Sequence, residues 1–179
     1  MFMLLKARKI AFLGLLMAFQ GILFFAGSII EVNTLFFLAA ASFCVGIAVR
    51  ETGIWHGAGF LIGAVLMNFI IMPQKLYCFT MAGFGVYIFM VEYLQAKKVS
   101  KYFGKWNRYV TILAKLLVFN SMYLPTVVLA PQLVFEGQVN RNILVLMIVG
   151  GQAALFVFDK AYEVFMNKHW ARLGNKIRK

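Results

Sequence analysis

Six long apolar stretches, separated by short polar connections, fill almost all of this 179-residue chain. A helix of about 20 residues spans roughly 30 Å of hydrocarbon, and most of the stretches approach that length. Because hydrocarbon cannot satisfy backbone polar groups, each span has to close its own hydrogen bonds as a helix. The pattern predicts an all-α membrane protein, a six-transmembrane-helix bundle, with spans at about 10–30, 34–49, 53–72, 76–94, 109–130 and 142–158. The second span is short, and we expect it to borrow residues 31–33.

The composition supports one membrane domain rather than several domains. The chain is 63% hydrophobic, well above the apolar share of an ordinary soluble domain. Its mean hydropathy is +0.83. No segment is polar enough to form a separate soluble domain, so residues 1–179 are predicted to be a single integral membrane domain. Its basic C-terminal tail, 159–179, is expected to continue as a helix along or below the membrane.

The net charge of +12 could suggest a nucleic-acid partner, but the placement of the charges argues against one. Lys and Arg precede the first span and collect after the second, fourth and sixth spans. The opposite connections hold only Lys75 and Arg141, and Lys115 falls inside a span. This positive-inside bias predicts a multi-pass protein of the cell membrane with both termini cytoplasmic (N-in/C-in). The cations then face anionic headgroups of the lipid bilayer, and no nucleic acid is expected.

Small residues recur along one face of the first span at spacings of 4, 3, 4 and 3. They are Ala7, Ala11, Gly14, Ala18 and Gly21. Helices in a bilayer associate mainly through close backbone approach, which small residues permit. The stripe is therefore predicted to be a docking surface. The pattern leaves open whether it meets another span of this chain or a separate protein.

Polar residues suggest a binding site that opens at the outer face. The three outer connections and the adjacent helix ends bring both signs of charge, amides and an aromatic ring, as a mouth for a small polar molecule would. Solvated loop ends are the alternative interpretation. The candidate substrate-binding residues are Glu31, Asn33, Lys75, Tyr77, Asn120, Tyr123, Arg141, Asn142 and Gln152.

Lys115 is the one basic residue predicted inside a span. Ionisable groups within a membrane are costly and merit a functional hypothesis. Two placements remain open: the side chain could extend to the inner interface, or it could point into the bundle near Gln152.

No catalytic or metal-binding arrangement is evident. His56 and His169 lack the spacing of a metal site, and Cys44 and Cys78 fit the pattern of small apolar residues within spans. The chain has no phosphate-binding Gly-Lys motif. We therefore expect neither enzyme activity nor a cofactor, and a membrane enzyme ranks below the two functions that follow.

Two segments resemble the substrate-binding S components of energy-coupling factor (ECF) vitamin transporters. One is the opening run from Lys6 to Ala18, a basic start that leads into the small-residue stripe. The other is the run from Gly46 to Gly53, with Gly57 and further glycines after it, which is similar to the family's Gly-rich junction of the second and third spans.

The resemblance implies a fold, a function and partners. S components are six-helix membrane proteins with both termini inside, and an Ala-x-x-x-Ala pattern on the first helix docks a transmembrane coupling subunit; Ala7 and Ala11 match it most directly. Two cytoplasmic ATPases drive transport through that subunit. The family binds a vitamin or related nutrient near the outer face, in a pocket formed by the last three helices and the outer loops. The first and third loops here are very short, and no loop motif assigns a substrate.

The alternative function is a structural membrane scaffold of cell-envelope or cell-shape assembly. In that interpretation the small-residue faces and the basic inner segment 95–108 dock other proteins, and the outer mouth holds no ligand.

Overall fold

In a computed structural model of the chain, the apolar stretches fold as helices. The structure describes residues 2–30, 34–71, 75–96, 107–129, 141–170 and 172. Its long helices are α1 (Phe2–Ile29), α2 (Thr34–Thr52), α3 (Ile54–Ile71), α4 (Lys75–Ala96), α5 (Asn107–Leu129) and α6 (Arg141–Val164). A π-helical segment, Phe165–Trp170, follows α6 without a break.

The predicted all-α fold is confirmed for the described residues, which contain no strand. Among the described residues, five stretches are long and apolar enough to cross a membrane: Ala7–Ile29, Thr34–Thr52, Ile54–Ile71, Tyr77–Ala96 and Asn142–Trp170. The apolar stretch of α5, Tyr109–Pro125, is shorter. The chain is thus compatible with a helical membrane bundle. The orientation of the termini and the single-domain organisation stay predictions.

The end of α2 differs from the predicted boundary. The helix passes residue 49 and ends at Thr52, whose hydroxyl donates to the Ala48 carbonyl at 2.7 Å. Gly53 then takes a φ of 98°, a left-handed conformation that glycine adopts at little cost. Its backbone N–H donates to the Val49 carbonyl at 2.9 Å. The second span therefore gains its length at the C-terminal end, while residues 31–33 lie outside the described part of the chain.

Contacts divide the chain into two compact units, Met1–Arg108 and Tyr109–Lys179. In the first unit, α2 is the central helix and packs against α1, α3 and α4. Its buried face includes Leu38, Ala41, Val45 and Ala48, each at most 1% exposed. Residues 44–49 are buried without a gap, so neighbouring helices enclose the C-terminal half of α2 on all sides.

Glycines allow the helices of the first unit to approach closely. A Cβ at Gly27 of α1 would lie 2.8 Å from the Cβ of Phe37 in α2. A Cβ at Gly85 of α4 would lie 2.7 Å from Leu61 in α3. The Cβ of Phe37 is fixed to its backbone, so the contact at Gly27 requires glycine, whereas at Gly85 the terminal methyl group of Leu61 would have to move. The unit is held by the kind of close packing that associates helices in lipid.

The second unit joins α5 to α6 by side-chain bonds at three levels. Tyr123 donates to the Met147 carbonyl, Gln152 to Asn120, and Lys115 to Asp159. We call these six residues the polar ladder. Successive partners run in opposite directions along the two helices, which are therefore antiparallel.

Beyond the polar ladder, α6 continues past Asp159, and the π-helical segment extends it to Trp170. The predicted helical continuation of the tail is thus confirmed as far as residue 170. Pro125 is exposed and lies inside α5, which runs on to Leu129.

Candidate functional site

The small-residue stripe of α1 is largely uncovered. Ala7, Ala11, Gly14 and Ala18 are all exposed. A Cβ built at Gly14 would meet no atom within 4 Å. Gly21 is half-buried, and a Cβ there would lie 3.1 Å from the terminal carbon of Met67 in α3. Most of the predicted docking surface therefore faces away from the helices of its own unit.

This exposure distinguishes the stripe from the packed glycines of the same unit. At Gly27, Gly57, Gly63 and Gly85, a Cβ would collide with a neighbouring helix. Small size has an evident internal use at those positions and none at Gly14. A surface that permits close helix approach, and that is not used within its unit, is available to another helix.

One end of the stripe opens into a groove between α1 and α3. The groove has a volume of about 360 Å³, and its lining includes Ala18, Gly21, Phe25, Met67 and Asn68. Asn68 is the polar member, although it is only 2% exposed. Its amide nitrogen lies 3.7 Å from the Met81 sulfur, a weak partner for an amide donor.

Part of the predicted outer mouth lies outside the described residues, namely Glu31 and Asn33, as does the side chain of Arg141. Lys75 and Tyr77 belong to the first unit. Lys75 is exposed; its ammonium donates to the Phe69 carbonyl and lies 4.5 Å from the Phe69 ring centroid. Tyr77 is half-buried. The structure thus gives Lys75 a local role at the α3–α4 connection and leaves its proposed ligand contact a prediction.

Three predicted substrate-binding residues of the second unit belong to the polar ladder. The Gln152 amide donates to the Asn120 carbonyl oxygen at 2.6 Å, and the Tyr123 hydroxyl donates to the Met147 carbonyl at 2.8 Å. Asn142 is exposed near the start of α6. The bond between Asn120 and Gln152 uses one donor and one acceptor, so the pair retains amide N–H groups and an oxygen that could bind a polar ligand.

Lys115 is buried against α6, where its partners are two carboxylates, and its reach to the inner interface stays a prediction. It is 8% exposed, and its ammonium lies 2.8 Å from both carboxylate oxygens of Asp159 and 3.3 Å from Glu163. Gln152 pairs with Asn120 instead. Asp159 and Glu163 are four residues apart and share one face of α6, a spacing from which a cation-binding pair could have been inferred.

The first unit has its own ion pair, which the sequence analysis did not predict. Arg50 of α2 donates through Nε to both carboxylate oxygens of Glu92 in α4 at 2.9 Å, and Nη2 adds a contact of 2.7 Å. The side chain of Glu92 is only 5% exposed. Such a forked contact fixes orientation as well as distance, so it locks the C-terminal ends of α2 and α4 together.

Gln20 of α1 is a buried amide without a bond. It is 0% exposed, and neither its side-chain oxygen nor its nitrogen has a hydrogen-bond partner among the described residues. An unsatisfied buried polar group costs about 1–3 kcal/mol. Replacement of Gln20 by an apolar side chain is therefore expected to stabilise the first unit.

The remaining residues with reactive chemistry include two cysteines. Cys44 and Cys78 are buried in α2 and α4 as free thiols. In the described ranges, no three His, Cys, Asp or Glu residues are grouped to hold a metal ion.

Comparison with known proteins adds no relative to this picture. No protein-family model, curated protein or solved structure matches the chain.

Proposed function

We propose that this protein is the membrane-embedded substrate-binding subunit of an ECF-type importer. It captures a vitamin or similar small nutrient at the outer face of the cell membrane and docks to a transmembrane coupling subunit. Two cytoplasmic ATPases act through that subunit, and both termini of the protein are cytoplasmic. The protein itself is not an enzyme.

The exposed stripe of α1 is the observation that carries the proposal. Ala7, Ala11, Gly14 and Ala18 present a smooth ridge about three turns long. Burial of a small-residue ridge against a partner helix brings the two backbones close and multiplies van der Waals contacts. The ridge therefore suits a helix of another protein, as the proposed coupling subunit requires.

The polar ladder supports the binding half of the proposal. Asn120, Tyr123 and Gln152 place hydroxyl and amide groups between two helices that carry large apolar side chains. A few polar groups in apolar surroundings are typical of small-molecule sites. A nutrient that binds here would pair with the remaining amide N–H groups and oxygen of Asn120 and Gln152. It could also replace the Met147 carbonyl as the acceptor for the Tyr123 hydroxyl.

The docking test compares Gly14→Leu with Gly59→Leu. Both glycines are exposed, both lie within helices, and a Cβ at either meets nothing within 4 Å. Only Gly14 belongs to the stripe. Each variant is co-expressed with the coupling subunit and ATPases of its source organism. We expect Gly14→Leu to reduce co-purification of the coupling subunit at least tenfold and Gly59→Leu to leave it unchanged. Equal capture of both variants would contradict docking through the stripe.

The substrate test is mass spectrometry of small molecules released from the purified protein. The proposal requires a retained nutrient and its loss in Gln152→Leu, because leucine removes the amide. The scaffold alternative requires the opposite result: no ligand, and stable capture of envelope-synthesis proteins. That outcome in folded protein would replace the transporter proposal.

A further inference from the structure

Both helices of the second unit have a weak turn at the same level, and we propose that the two turns form a paired hinge. The turns are residues 121–125 of α5 and 147–151 of α6. Beyond them lie residues 126–129 and 142–146, which we call the hairpin ends. The hairpin ends separate when the bond between Tyr123 and Met147 breaks. This motion opens the proposed substrate site, a role that rests on the proposed function.

The weak turn of α5 ends at Pro125. Proline has no backbone N–H, so the Ser121 carbonyl cannot accept the usual helical bond, and the proline ring crowds the same carbonyl. The Ser121 hydroxyl does not supply the missing donor, because it donates to the Val118 carbonyl at 2.8 Å. Hydroxyl bonds of this kind also tend to bend a helix. Since α5 runs on to Leu129, the weak turn joins two helical segments.

The weak turn of α6 holds two consecutive glycines, Gly150 and Gly151, near the middle of a 24-residue helix. Glycine restricts the backbone less than any other residue, so this pair lowers the cost of a change in helix direction. Close packing accounts for Gly151, where a Cβ would overlap the ring of Tyr123. Packing against α5 does not account for Gly150, where a Cβ would lie within 4 Å of none of its atoms.

The antiparallel register brings the two weak turns face to face. Tyr123 belongs to the weak turn of α5, and it contacts both Met147 and Gly151 in the weak turn of α6. A single weak turn would force the moving end to slide along a straight partner helix. Two at one level let both ends tilt apart, which is the geometry of hinge motion.

The hairpin is fixed on the other side of the hinge. Asn120 and Gln152, the residues directly beside the weak turns, are joined at 2.6 Å. Further along, the Lys115 ammonium lies 2.8 Å from Asp159. We call residues 111–119 and 153–158 the base. Because the amide pair lies between the base and the hinge, separation of the hairpin ends would give a ligand access to the pair from that side.

Tyr123 is the latch of the hinge. Its hydroxyl donates to the Met147 carbonyl at 2.8 Å, and its ring packs on Gly151. The ring also stacks on Phe119, with centroids 4.9 Å apart. The stack lies within α5 and persists when the ends separate. Opening therefore gives up one hydrogen bond and the contact with Gly151, so the closed state is favoured only modestly.

Hydrogen–deuterium exchange of the purified full chain, read by mass spectrometry, tests the hinge without any ligand. The hairpin ends should exchange about tenfold faster than the base, because they open locally. Tyr123→Phe removes the latch and keeps the ring. Exchange at both hairpin ends should then rise about fivefold, the equilibrium effect of one hydrogen bond, while exchange in the base stays the same.

Substitutions that stiffen one turn show whether the two turns act as a pair. Pro125→Ala restores the bond to the Ser121 carbonyl in α5, and Gly150→Ala removes backbone freedom in α6. Each should slow exchange at both hairpin ends about threefold, although each changes only one helix. Gly59→Ala in α3 is the matched control, since a Cβ there also meets nothing within 4 Å. It should leave exchange in α5 and α6 unchanged.

The paired hinge is overturned if Pro125→Ala slows exchange in α5 alone, or Gly150→Ala in α6 alone, since each turn would then act locally. It is also overturned if the hairpin ends of the wild type exchange no faster than the base, or if Tyr123→Phe does not change them. The wild-type comparison needs no variant, so a folding defect cannot obscure it. The two proposals fail separately: a protein that retains no nutrient contradicts the proposed function and leaves the exchange results standing.

Discussion

The two units of this protein hold their helices together by different means. In the first unit, helices approach through glycine and alanine, and a forked ion pair closes one end. In the second unit, α5 and α6 are joined by the polar ladder, and α6 leaves most of its surface exposed. Lipid tails are as apolar as leucine, so apolar burial alone gives helices little reason to associate. Close packing at small residues holds the helices of the first unit together, and hydrogen bonds hold those of the second.

The comparison also separates two roles for small residues. Inside the first unit, neighbouring side chains occupy the space beside glycines such as Gly57. Along the stripe, Gly14 meets nothing. Substitution of a buried small residue should change the stability of the fold, while substitution of an exposed one should change binding to a partner. Substitutions at the two classes should therefore change different measurements.

The largest effect is expected from Arg50→Met. Glu92 would then be a buried carboxylate without its main cation, and removal of one partner of a buried pair costs about 3–5 kcal/mol. Unfolding of the purified protein in a denaturing-detergent titration measures the loss. Arg50→Met/Glu92→Met should recover most of it, because neither charge remains. Wild-type stability of the single variant would show that shape alone holds the first unit.

Gly57→Ala should cost about 2–3 kcal/mol, the upper part of the range for overpacking. The new methyl group would overlap Val49, including its backbone Cα at 3.0 Å. A backbone atom cannot relieve the overlap by a change of rotamer, as a side chain can. Gly59→Ala is the control in the same helix, since a Cβ there meets nothing within 4 Å. It should stabilise α3 slightly through helix propensity. Equal effects of the two variants would refute the close α2–α3 approach.

Replacement of a glutamine by methionine should change the free energy of unfolding in opposite directions in the two units. Gln20→Met removes an unbonded buried amide and should stabilise the protein by about 1–2 kcal/mol. Gln152→Met breaks the bond to Asn120 and should destabilise it by roughly 0.6–1.7 kcal/mol. Both are read from detergent-titrated unfolding. If Gln20→Met is destabilising instead, the amide has a partner, such as an internal water molecule.

The smallest effect is expected from Gly151→Ala. Its methyl group would overlap the ring of Tyr123, and a shifted ring gives up the bond to Met147. The net loss should be about 1 kcal/mol, the value of one hydrogen bond. The neighbouring Gly150→Ala meets open space and should be neutral or slightly stabilising. A larger penalty at Gly151 than at Gly57 would reverse the proposed difference between the units.

The sequence identified the helices well because bilayer-length apolar runs are a local signal. It placed the end of α2 too early, since Arg50 and Glu51 are charged. Arg50 can continue the helix because Glu92 neutralises it, and a partner 42 residues away leaves no local trace.

The candidate site was predicted in outline only. The composition of the stripe was evident from its spacing, but its exposure depends on how α1 packs. Lys115 was recognised as unusual, yet its partners depend on the antiparallel register of α5 and α6. Gln20 has no hydrogen-bond partner among the described residues because of how α1 packs, which its neighbours in sequence do not reveal.

The buried Lys115 also bears on how the protein enters its membrane. A lysine within a spanning helix opposes insertion by the translocon, with a cost of about 2.5–3.5 kcal/mol at the helix centre. Its counter-ion, Asp159, is synthesised later, on α6. We therefore expect α5 to be retained until α6 emerges, so that both enter as a hairpin. A glycosylation-based insertion assay of α5 alone and of the α5–α6 hairpin measures this, and efficient insertion of α5 alone would contradict it.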